Sequence, residues 1–215
     1  MGQYYRPVFL TEKSKPISFA VSYDFGSGAK LMEHSWRLNP FVRFIENQLL
    51  IQPQRLVWAG DYADNEDPKT LTNAEIKELS DEKSEYWNST KLKAEGVNLY
   101  SLSKTVAKIT HDEEIPKDKS KYDYNYKKVA PLTAKYLINY DKKEFVNKTK
   151  VPKDSDGWQM HPLPILTCEG NGRGGGDFGG ESKLIGSWSR DIIGVVSKKS
   201  DIPKDFKEVI FDLKE

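Results

Sequence analysis

"AKYLINYDKKEFVNK", residues 134–148, decides the fold class. Aromatic and aliphatic residues alternate on both sides of Asp141, Lys142 and Lys143, the period of two expected of half-buried strands joined by a polar turn. This segment reads as a β-hairpin. At the N-terminus "YYRPVFL" (4–10) and "PISFAVSY" (16–23), separated by the polar "TEKSK", read as a second hairpin. Asn39 and Pro40 then give an N-cap with proline at the first helical position, ahead of "FVRFIENQLL", where Phe41, Phe44, Ile45 and Leu49 share one helical face. "QRLVWAGDYAD" (54–64) follows as a buried strand from Leu56 to Ala59, broken by Gly60 and delivering a loop with Asp61, Tyr62 and Asp64.

The pair Thr72 and Glu75 is a capping box that opens a short helix, and "DEKSEYWNSTKLKAEG" (81–96) reads as another, stopped by Gly96. Residues from about 104 to 128 are highly charged and short of aliphatic side chains, which predicts a solvated, mobile insertion. Beyond the 134–148 hairpin, "LPILTC" (163–168) reads as a strand, "KLIGSWSRDIIGVVS" (183–197) as two more and "FKEVIFDL" (206–213) as a terminal one. Strands dominate and the helices fall early. The expectation is an α+β fold, a mainly antiparallel sheet with a few helices inserted in the first half, in a single domain over 1–215.

With 33 basic and 32 acidic residues the formal net charge is +1, so no global attraction to nucleic acid or to an anionic membrane is expected. The one cysteine, Cys168, excludes an intramolecular disulfide and a cysteine-based zinc site, and fits a reducing, cytoplasmic compartment. No apolar leader and no apolar run of membrane-spanning length stands in the sequence.

The densest local signal is "EGNGRGGGDFGG", residues 169–180. A glycine cluster means positive φ, close backbone approach or mobility. Gly170, Gly172 and Gly175 spell G-x-G-x-x-G, but no helical pattern follows, so this is not a dinucleotide fingerprint. Its chemical use would be a nest of backbone N–H groups with Arg173 as the fork for a phosphate. The reading drawn from these blocks is a pocket for a small polar ligand, phosphate-bearing or nucleotide-like, between the Asp61 loop and the Gly170–Gly180 loop. Arg173 and the glycine backbone would hold the anion, and Asp61, Tyr62, Asp64, Glu169, Asn171 and Asp177 would complete the binding set.

Two alternatives stay open. His34, His161, Asp61 and Asp177 would suffice for a divalent metal and hence a metal-dependent phosphoester hydrolase, although no H-x-x-x-H element is present. The tyrosine-rich "KYDYNYKK" (121–128) would instead suit a surface that binds a host protein partner. A base-stacking role for those tyrosines is disfavoured by the near-neutral charge. Cys168, at the end of an apolar run, reads as a buried small hydrophobe, and the absence of G-x-S-x-G leaves a hydrolase triad without support.

The blocks "MGQYY", "GAKLMEHSW", "RLVWAGDYAD", "HPLPILTCEGNGRGGGDF" and "GSWSRDII" resemble a group of uncharacterised bacterial and bacteriophage proteins. The resemblance implies a bacterial or phage-encoded cytoplasmic protein. It carries over no activity and no catalytic residue.

Overall fold

The computed structural model describes residues 3–81, 84, 86–110, 134–170 and 182–213. The apolar run at 56–59 becomes the middle of the sheet. Its strand, β3 (Gln54–Gly60), pairs antiparallel along its whole length with β1 (Tyr5–Leu10), from Tyr5 opposite Gly60 to Leu10 opposite Arg55. The next strands out are β2 (Pro16–Phe19), antiparallel to β1, and β4 (Ala107–Lys108), parallel to β2. On its other edge β3 has two neighbours. At Gln54 and Arg55 it meets β8 (Ile192–Val196) antiparallel, and at Trp58 and Ala59 it meets β7 (Cys168–Glu169) parallel. The sheet continues from β8 through β5 (Tyr136–Asn139) and β6 (Glu144–Asn147) to β9 (Lys207–Glu208). The fold is α+β with a mostly antiparallel, mixed sheet of nine strands among the described residues.

Strand periodicity sorts β1 and β3 into two cores. Tyr5, Phe9, Leu56 and Trp58 pack with Phe41, Ile45 and Leu49 of α2 (Pro40–Ile51) and with Leu163 and Leu166 of α6 (Pro162–Thr167). Val8, Leu10, Val57 and Ala59 face the other way, onto α3 (Asn73–Leu79), α4 (Ser89–Glu95) and α5 (Leu99–Leu102) through Ile76, Leu92, Leu99 and Leu102. Covered on both faces, β3 reads as a continuous apolar run rather than an alternating one. Each such large aliphatic or aromatic side chain, fully buried, contributes roughly 1.5–3 kcal/mol.

The caps read from the sequence are in place. Asn39 Oδ1 accepts from Phe41 N at 2.9 Å and Val42 N at 3.3 Å. Thr72 and Glu75 exchange both bonds of the capping box. In the 134–148 hairpin, Asn139 Oδ1 accepts from Lys142 N at 2.9 Å, and Lys143 closes the turn with φ +55.

Five expectations need correction. The helix expected over 81–96 starts only at Ser89, because Asn88 caps it by accepting from Lys91 N at 2.9 Å. "LPILTC" is α6, with only Cys168 and Glu169 left as strand. Pro162 and Pro164 decide this, since they withhold amide donors that a ladder needs and that the first helical turn leaves unused anyway. Between 183 and 197 only β8 forms, the rest being turns, and the terminal strand shrinks to β9. Residues 104–110, expected within the insertion, instead turn into β4 at the sheet edge; residues 111–133 lie outside the described residues. No helix among the described residues is long and apolar enough to cross a membrane.

Candidate functional site

Because β3 and β7 run parallel, with Ala59 opposite Glu169, Gly60 and Gly170 leave the sheet side by side. Asp61 is anchored there. Its Oδ1 accepts from Tyr4 N at 3.0 Å, its N–H donates to Tyr4 O at 3.0 Å, and its carbonyl accepts from Asn98 Nδ2 at 2.8 Å. Burial pushes its carboxyl up, against the Tyr4 hydrogen bond that favours the charged form. Tyr62 and Asp64 are exposed. Gly60 and Gly170 are required by the protein's own packing. A Cβ at Gly60 would lie 2.5 Å from Gln3 Nε2, and one at Gly170 would lie 2.6 Å from the Tyr5 hydroxyl.

Glu169 is engaged in an ion pair. Arg190 Nε reaches its Oε1 at 2.9 Å and Nη2 its Oε2 at 2.8 Å, while Nη2 and Nη1 also reach Glu66 at 2.6 and 3.2 Å. Arg190 adopts φ +64 and donates its backbone N–H to Leu56 O at 2.9 Å. Its guanidinium therefore ties the Asp61–Glu66 loop to β7. Asn171, Arg173 and Asp177 lie outside the described residues.

The two histidines come from neighbouring segments, His161 N donating to Ser35 O at 2.8 Å, but their rings meet different partners. His34 Nδ1 donates to Gly28 O at 3.0 Å, and its Nε2 accepts from Trp58 Nε1 at 2.8 Å. Both nitrogens are committed, and burial lowers the pKa to about 4, so the ring is neutral. His34 thus packs as a core residue rather than a free metal ligand. Among the described residues no three His, Cys, Asp or Glu side chains are gathered as a metal site.

His161 belongs to a second cluster that the sequence reading missed. Its Nδ1 accepts from Leu163 N at 3.2 Å, which places the ring proton on Nε2. That nitrogen lies 3.2 Å from Glu46 Oε1. Glu46, on α2, also accepts from Lys148 Nζ. Burial pushes the Glu46 carboxyl up, yet His161 and Lys148 together outweigh it and hold the group well below the usual carboxylate range. Burial lowers the His161 pKa, with Lys148 and Arg37 acting in the same direction against Glu46.

These groups line a cavity with Arg37, Arg43 and Lys135. Arg43 and Glu46 come from one face of α2, three residues apart. Arg37 is held by Gln159, whose carbonyl accepts from Arg37 N at 2.8 Å and whose side-chain oxygen accepts from the guanidinium. The described lining sets Arg37, Arg43, Lys135 and Lys148 against one carboxylate, Glu46. Space for the centres of water-sized atoms amounts to about 30 Å³, roughly two or three oxygen-sized positions. One signal could have found the cluster: Arg43 and Glu46 interrupt a helix that is otherwise apolar around them, at Phe41, Val42, Phe44 and Ile45. No family model matches the chain, and no curated protein or solved structure matches it.

Proposed function

We propose that the protein binds a small phosphate-bearing ligand, and that the cavity between α2, the start of α6 and the turn after β6 receives the oxyanion. The observation that carries this reading is the charge of the lining, where among the described residues Arg37, Lys135 and Lys148 face a single carboxylate, Glu46. A phosphoryl group would balance Arg37 and Lys135 through charge-assisted hydrogen bonds. The ligand class expected from the sequence is kept, but its anion is assigned away from the Asp61 loop. There the described side chains are mainly acidic, Asp61, Asp64, Glu66 and Glu169, and Arg190 already serves two carboxylates.

Titration calorimetry with inorganic phosphate and pyrophosphate tests this. Arg37 is exposed but donates to buried Gln159, so Arg37→Ala should lower the melting temperature by a few degrees, leaving the fold intact, while weakening oxyanion binding about tenfold. Equal affinity in the wild type and the variant, or no binding of either anion at millimolar concentration, overturns the assignment.

A further inference from the structure

Beside the cavity lies a groove of different character, lined by Trp36, Val151, Pro152, Trp158, Met160 and Phe211 among others. Met160 lines both spaces, and Trp36 in the groove is followed directly in the chain by Arg37 in the cavity. The groove offers about 130 Å³ to atom centres where the cavity offers about 30 Å³. The groove is the larger space, with two tryptophans and a phenylalanine in its lining, whereas the smaller cavity is lined by charged side chains.

The tryptophans are held in position. Trp36 Nε1 donates to Met32 O at 2.6 Å, which fixes that ring. Trp158 is 61% exposed, although leaving a large apolar side chain in water forfeits roughly 1.5–3 kcal/mol of burial. A tight turn keeps it there: Trp158 N donates to Asp154 Oδ1 at 2.8 Å, Asp154 N donates to Trp158 O at 2.9 Å, and Gly157 takes φ +84. The two rings stand edge to face, with centroids 6.0 Å apart. Gln159, next to Trp158, clamps Arg37, so the stacking face and the anion site share one support.

We propose that this groove takes the base of a nucleotide whose phosphate occupies the adjoining cavity, with Trp158 as the stacking face. The inference rests on the anion assignment above and adds the class of the ligand's other half. Base stacking on an aromatic side chain is tolerant of base identity, so adenine, guanine, cytosine and uracil nucleotides should all bind.

The test compares pyrophosphate with the four nucleoside diphosphates in the wild type, Trp158→Ala and Arg37→Ala, using calorimetry and tryptophan fluorescence. Diphosphates should bind about tenfold tighter than pyrophosphate and quench fluorescence. Trp158→Ala should remove that advantage and leave pyrophosphate binding unchanged, with Trp158→Phe retaining most of it. Nucleotides no tighter than pyrophosphate, or a Trp158→Ala variant that weakens both alike, overturns the base-binding groove while leaving the anion site standing. Failure of pyrophosphate and nucleotides together removes the anion site and the groove with it.

Discussion

Arg190 and Glu46 each stand at the centre of a charge cluster, and the two clusters are built in opposite senses. At Arg190 one guanidinium serves two carboxylates, Glu66 and Glu169, in partly exposed positions where water can complete the solvation. At Glu46 one carboxylate faces Lys148 and His161 with side-chain exposures of 4%, 11% and 3%, and further cations line the same space. The first is a clamp whose hydrogen bonds close on themselves. The second is a buried set in which, among the described residues, Arg37, Lys135 and Lys148 outnumber the one carboxylate, an arrangement that desolvation makes costly unless something completes it. Ion pairs of the same residue types thus serve as structure in one place and as a receptive surface in the other.

The largest effect expected is from Glu46→Gln, which keeps the shape and removes the buried negative charge. Leaving Lys148 uncompensated should cost about 3–5 kcal/mol of unfolding free energy, read by urea melts, and millimolar phosphate should restore part of it. A loss below about 1 kcal/mol would erase the contrast between the clusters.

Acid should act next. His34 has a folded-state pKa of about 4 against an ordinary 6.5, so the unfolded chain binds its proton first. Its contribution is fully present above pH 6.5 and is lost as pH falls toward 4, a total of about 3 kcal/mol. The lowered His161 and Glu46 pKa values have the same sign. Chemical denaturation across that window should show the slope, and His34→Asn should flatten it. The smallest effect belongs to Arg190→Ala: roughly 1–2 kcal/mol of stability, because Glu66 and Glu169 can hydrate, with phosphate affinity unchanged by calorimetry. A change in affinity there would move the anion site back toward the Asp61 loop.

What could be read from the sequence was local. The hairpin around Asp141, the strand at Leu56–Ala59 and the caps at Asn39 and Thr72 are each written within a dozen residues, and each formed. The apolar run at 163–168 was ambiguous by periodicity, and its prolines were the deciding detail. Glu169 lies beside the Asp61–Glu66 loop through the β3–β7 pairing and shares Arg190 with Glu66, a link that no local pattern showed. The Glu46 cluster was out of reach for another reason. Glu46 and Lys148 are 102 residues apart, and Arg37 and Gln159 are 122 apart, so only the folded chain brings them into contact.

Cys168 opens a different view of the same architecture. It is the chain's only cysteine, is 1% exposed where α6 runs into β7, and burial pushes its thiol up to about 12. A thiolate is the form that reacts with alkylating agents and oxidants, so the closed protein is chemically silent toward both. Local opening of the packing around Cys168, α6 included, would make that sulfur visible to a reagent. The chain therefore carries a built-in clock for the opening of the layer that begins with His161.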